Sequence, residues 1–237
     1  MSFVRTSASL HKWLALVVGL PILAWFVSGL FIAFVPEDAI HGHHPPDPAP
    51  VDAAAVAQPL AQALAARPGS YAKVEARSML GRPVALLTPV EGRPQLVDLT
   101  TGHTVSPIDR PTAIALALET MGAHTGLPVR AEQVSAPSRV YQGPLPAWRV
   151  VFADQSNTEV YVAANLGRVV ASRGDLFRVY DTMWSFHILN FADPRGINTW
   201  WLWGLAALAT VVAMTGFVML PSRLRLKRRR RLNTERL

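Results

Sequence analysis

The chain has 237 residues, half of them hydrophobic and only 16% charged, against the ~25% charge usual in soluble domains, and that deficit points to a membrane protein. The absence of cysteine excludes disulfides, thiolate nucleophiles, iron–sulfur clusters and Cys-attached haem. The net charge of +7 is no nucleic-acid footprint, because the tail from Pro221 holds eight Lys/Arg and one Glu while the long middle of the chain is slightly acidic; the basic charge sits at the two ends rather than on a folded face.

Residues 1–12, with Arg5 and Lys12, read as a short cytoplasmic N-terminus. Residues 13–35, "WLALVVGLPILAWFVSGLFIAFV", carry no charge and as a helix reach about 35 Å, enough to cross a ~30 Å hydrocarbon core. The run is longer than the ~7–15 apolar residues of a signal peptide and no A-x-A site follows, which predicts an uncleaved anchor. Pro21 inside it is a place for a kink. Residues 36–50 form a linker, "HGHHPPDPAP" at its end, whose prolines resist helix and sheet.

Residues 51–108 and 109–178 then read as two similar units. In the first, "VDAAAVAQPLAQALAARPG" predicts a helix, followed by the strand-like runs "YAKVEARSML", "RPVALLTPV" and "PQLVDLTTGHTVSP". In the second, Asp109 as N-cap and Pro111 in the first turn open a helix over "RPTAIALALETMGAHTG". "EQVSAPSRV", "AWRVVFAD", "TEVYVAAN" and "GRVVAS" follow as strands. Gly102 and Gly167 each suit a tight turn between two strands, so an internal duplication is the economical reading.

Residues 179–196 form an aromatic, His-containing segment. Residues 197–220 form a second uncharged span that opens on Trp200, Trp201 and Trp203, an interfacial cluster. Its small residues Ala206, Ala209, Ala213 and Gly216 would admit another helix closely, from the first span, from another copy, or both. The basic tail, 221–237, carries five consecutive cations from Lys227 to Arg231, each worth ~1 kcal/mol on anionic lipid. The positive-inside bias puts both termini in the cytoplasm and residues 36–196 outside, which in a Gram-negative cell means an inner-membrane protein with a periplasmic domain.

Four stretches together resemble the PepSY-domain membrane proteins, in particular the PepSY-associated transmembrane family. They are "LHKWLALVVGLPILAWFVSGLFIAFVP", "IHGHH", the hairpin "TEVYVAANLGRVV" and "YDTMWSFHILNF". Where the family hairpin usually has Asp, this chain has Ala163 or Ala164. The resemblance covers essentially the whole chain and implies an α+β membrane protein, two transmembrane helices flanking an extracytoplasmic domain of two PepSY-like helix-plus-antiparallel-sheet units. It also implies one of two functions. Some members resemble haem-containing reductases linked to iron–siderophore uptake, passing electrons across the membrane to a ferric chelate. Others are haem-free binding or assembly modules that engage a partner protein or peptidase.

The histidines are where these functions part. Haem b between two histidines needs opposed imidazoles in an apolar slot. His187 is flanked by Trp184, Phe186 and Phe191, a suitable porphyrin wall, and His44 is expected on the same face. Of His41, His43 and His44, the last matches the family's position best. The same three, as "HGHH", are alternatively imidazole ligands for Cu(II), Ni(II) or Zn(II), or only a polar collar. His11, before the first span, is an interfacial residue or, in a homodimer or larger membrane complex, an inner haem ligand. His103 and His124 read as ordinary surface histidines. The sequence has no G-x-S-x-G, H-E-x-x-H, phosphate loop, flavin or nicotinamide motif, so any enzymatic role would be that of a haem-dependent reductase or electron-transfer subunit.

Overall fold

A computed structural model describes residues 2–36, 40, 51–122, 126–192, 196 and 199–234. The elements, in chain order, are α1 (Ser2–Phe34), α2 (Ala53–Ala65), β1 (Tyr71–Met79), β2 (Arg82–Pro89), β3 (Gln95–Asp98) and α3 (Arg110–Met121). They continue with β4 (Pro128–Val134), β5 (Ala147–Phe152), β6 (Glu159–Ala163), β7 (Arg168–Arg173), α4 (Asp175–Ile188) and α5 (Trp200–Thr234). Two compact units result, a membrane unit of Met1–Phe34 with Asp181–Leu237 and a sheet unit of Val35–Tyr180. The architecture is α+β, with two antiparallel sheets between the two long apolar helices.

In the sheet unit, strands pair in sequence order, β1-β2-β3 in one sheet and β4-β5-β6-β7 in the other. Side chains alternate across each sheet with period two, and this splits the core. Val84 and Leu86 of β2, with Met79 and Leu96, join the main cluster. Ala85 and Leu87, one residue out of phase, meet Val56 and Ala63 of α2 on the opposite face. The first sheet is thus buried on both sides, which is why "VALL" is apolar without alternation. In the second sheet, Val150, Phe152, Val160 and Val162 face Ala113, Leu116 and Met121 of α3 in the same main cluster.

The other face of the second sheet carries Arg149, Glu132, Glu159 and Tyr161. Arg149 pairs with Glu132 at 2.7 Å, Arg178 with Glu159 at 3.2 Å and with Asp175 at 2.7 Å. Tyr161 donates to Glu159 at 2.8 Å and stacks on Tyr141, centroids 4.4 Å apart and planes 3° from parallel. Tyr141 comes from the segment 135–146, expected in part to be strand. It is instead a loop laid over this face, held by the Tyr141 hydroxyl donating to the Pro144 carbonyl at 2.7 Å.

The two glycine turns differ. Gly167 closes the β6–β7 hairpin with φ +55°, its amide donating to Ala163 O at 2.8 Å. Past Gly102 the return limb is only the isolated bridge Val97–Thr104. There the Asp98 carboxylate takes the amides of Thr100 and Thr101, and Pro107 soon removes a ladder donor. Turn and sheet then meet across the unit, where Arg77 of β1 donates to the Leu166 and Gly167 carbonyls of the β6–β7 turn.

The expected start of α3 is present. Asp109 is the N-cap, its side chain accepting from the Thr112 amide at 3.0 Å. Hydrogen bonds from Thr112 hold the Asp109 carboxyl below its usual range. A depressed folded value contributes stability above about pH 4 that is lost as pH falls through it. Asp109→Ala should therefore lower the urea midpoint at neutral pH, whereas Asp109→Asn, which keeps an acceptor, should hold the neutral midpoint and flatten the acid limb. Equal acid limbs in Asn and wild-type proteins would show that this cap does not respond to pH.

Candidate functional site: imidazoles within the membrane unit

The membrane unit is built on the apolar spans His11–Phe34 of α1 and Trp200–Phe217 of α5. Pro21 lies inside α1, which continues through it, and α5 runs on into the basic tail as far as Thr234. The aromatic segment expected over 179–196 is helical in its first part, as the end of α4. The helix closes through Leu189 at φ +51° with the Asn190 amide donating to Ser185 O at 3.0 Å, a Schellman-type cap with Leu in the left-handed position. Asn190 then donates through its side chain to Gly196 O at 2.7 Å, and the Trp201 indole donates to Leu189 O at 2.8 Å. These bonds tie α4 to the start of α5.

His187, on the last turn of α4, packs against α1. Its ring stacks on Trp25, with centroids 5.1 Å apart and planes 12° from parallel. Trp184 lies tilted beside it at 6.1 Å. Nδ1 is 3.2 Å from the Trp25 carbonyl and 3.3 Å from Ser28 Oγ. The Ser28 hydroxyl itself donates to the Trp25 carbonyl at 3.0 Å, so its proton is committed and its oxygen can only accept from the ring. A carbonyl also only accepts. In a neutral His187 ring these bonds put the proton on Nδ1 and the lone pair on Nε2. Gly29 makes the approach possible, because a Cβ there would lie 3.0 Å from His187 Cε1.

His11 repeats the arrangement on α5. Its Nδ1 is 2.8 Å from Thr215 Oγ1, and that hydroxyl donates to the Val212 carbonyl at 2.9 Å. With the Thr215 proton on that carbonyl, its oxygen accepts from the ring, and a neutral His11 then carries its proton on Nδ1. Gly216 lies beneath the ring, where a Cβ would meet Cε1 at 3.4 Å. Among the described residues neither Nε2 has a hydrogen-bond partner.

The residues named from sequence thus sort by place. His187, Trp184, Phe186 and Phe191 come together: Phe186 packs edge-on against Phe191 at 5.0 Å and lines an apolar groove of about 310 Å³ with Leu20, Leu23, Ala24, Val27, Ser28 and Met183. His11 is separate, since the contacts of His187 on α1 begin at Trp25, fourteen residues further along the helix and about 21 Å by helical rise. The pair cannot ligate one ion. His41, His43, His44 and His124 lie outside the described residues, and among the described ones no group of three or more His, Cys, Asp or Glu forms a metal cluster. Sequence reasoning missed Trp25, Ser28, Gly29 and Thr215 as imidazole partners. The signal available was a hydroxyl residue followed by glycine in each apolar span, "VSG" and "MTG".

Two long apolar helices bracketing a pair of antiparallel sheets, with polar imidazoles seated inside the helical part, define a two-pass membrane protein with an α+β domain. The chain belongs to the family described as the PepSY-associated TM region, whose model matches residues 8–237. No curated protein and no solved structure matches it.

Proposed function

We propose that this chain is a haem-binding protein of the inner membrane that passes electrons outward, toward an acceptor such as a ferric chelate. The observation that carries the reading is the shared seating of the two membrane histidines, each with Nδ1 on a helix hydroxyl and with no hydrogen-bond partner for Nε2 among the described residues. Metal-bound histidines characteristically donate from the ring nitrogen that is not the ligand, and here Nδ1 is the nitrogen that meets a helix acceptor in both rings, which would leave Nε2 for a ligand bond. The surroundings of His187 are those an axial ligand to haem needs, aromatic and apolar with the ring orientation fixed.

His187 and His44 of the linker are the residues that would hold a haem b on the outer side. His11, together with His11 of another copy, would hold a second on the cytoplasmic side, so the reading includes a homodimer. A haem in either place supplies a one-electron Fe(III)/Fe(II) couple. The protein's own part is to orient each imidazole, to keep water from it with Trp25, Trp184 and Phe186, and to set its basicity through the Nδ1–H bond. The orientation, with both termini cytoplasmic and the sheet unit periplasmic, rests on the basic ends.

The test is a visible spectrum of the detergent-purified protein, oxidised and dithionite-reduced, with a pyridine haemochrome assay. The expected result is a sharp Soret band with split reduced α and β bands, and their loss in His187→Ala. A protein that stays colourless after expression with ample haem is not a haem protein.

A further inference from the structure

The two histidines are seated by the same three-part arrangement on two different helices. In α1 the seat is Trp25 O, Ser28 Oγ and Gly29; in α5 it is Val212 O, Thr215 Oγ1 and Gly216. In each, a hydroxyl bonds the carbonyl three residues earlier, a common way for Ser and Thr to satisfy themselves in apolar helices. That bond consumes the hydroxyl proton and turns the oxygen into an obligate acceptor. In each, the next residue is glycine and the imidazole Cε1 is the atom nearest to the missing Cβ, at 3.0 and 3.4 Å. The covering is close, for Ser28 is 1% exposed on a span whose side chains are mostly exposed.

We infer that Ser28–Gly29 and Thr215–Gly216 are two copies of one imidazole seat, positioning elements that fix the Nδ1–H tautomer of His187 and His11 and present Nε2 as a ligand atom. The inference deepens the haem reading and rests on it for its purpose, but the tautomer is a property of the protein alone. The seats are not equal. His187 has a second acceptor in the Trp25 carbonyl, whereas the acceptor of His11 is Thr215. Removing the hydroxyl should therefore matter more at His11.

Ring-nitrogen NMR of the haem-free, full-length protein, labelled with ¹⁵N-histidine in detergent at a pH where imidazole is neutral, reads the tautomer directly. Signals are assigned with His11→Ala and His187→Ala. Both rings should show protonated Nδ1 and bare Nε2. Thr215→Val should abolish the Nδ1-protonated signal of His11, Thr215→Ser should restore it, and the His187 signal should be unchanged in both, which also reports that the bundle is folded. In Gly29→Ala the His187 signal should shift while that of His11 stays. A His11 ring protonated at Nε2 in the wild type, or one indifferent to Thr215→Val, overturns the seat. The expected tautomers in a protein that never takes up haem uphold the seat and sink the haem reading instead.

Discussion

Gly167→Val should destabilise the sheet unit by about 4 kcal/mol, the sum of a left-handed backbone that costs a β-branched residue about 1–2 and overpacking worth about 1–3. The backbone part comes from φ +55° at Gly167. The packing part comes from where the turn sits. A Cβ at this position would lie 2.5 Å from Leu96 Cδ2 and 2.9 Å from Met79 Sδ, and both of those side chains belong to the main core. Leu96 is fully buried and has no open space to move into, and Arg77 holds the turn in place through the Leu166 and Gly167 carbonyls. Gly102 provides the internal control. Its φ is +71°, but nothing lies within 4 Å of the Cβ it lacks, so Gly102→Val should show the backbone cost alone. Urea titrations of the full chain in detergent, followed by sheet circular dichroism, measure both. Equal losses at the two glycines would mean that the β6–β7 turn does not plug the first sheet.

Raising the pH above 10 should weaken the same unit through its stacked tyrosines. Burial pushes the Tyr141 hydroxyl up to about 12. Burial, with the bond to the Glu159 carboxylate, pushes Tyr161 to about 12 as well. In the unfolded chain both ionise near pH 10. Between about pH 10 and 12 the unfolded state loses protons that the folded state retains, so stability present below pH 10 falls as pH rises and levels off above 12. The loss is on the order of 1–2 kcal/mol for each tyrosine. Tyr141→Phe and Tyr161→Phe should each remove a share of the alkaline slope, and at pH 8 Glu159 keeps Arg178 as a partner in the second variant. Identical alkaline slopes in the wild type and in both variants would assign the transition to other groups.

Much of this architecture is written locally. Two spans are legible because a bilayer demands some twenty residues without charge, and α3 because Asp109 and Pro111 mark its first turn. What stays hidden depends on long-range docking. Nothing near His187 in sequence says that its ring will meet Ser28, 159 residues away. Nothing near His11 names Thr215, 204 residues away. The "VSG" and "MTG" triplets are visible, yet a hydroxyl in an apolar helix satisfies itself on its own backbone with or without a guest. The aromatic neighbours Trp184, Phe186 and Phe191 were legible as a group because they share one short segment with His187. The helical form of that segment was missed although its local signals were present, an amphipathic pattern with Asp175 in the first turn.

The seats also fix how the helices of the membrane unit stand along their lengths. Apolar helices in lipid meet through surfaces that look much alike one turn up or down, so packing alone sets their axial offset weakly. Here a bond from α1 to α5 at Thr215 and one from α4 to α1 at Ser28 act as keys in two slots. A slip of one turn, about 5.4 Å, would pull both imidazoles off their acceptors and drive them from glycine onto bulkier neighbours. The depth at which α4 ends is thereby set by hydrogen bonds whose geometry tolerates only tenths of an ångström.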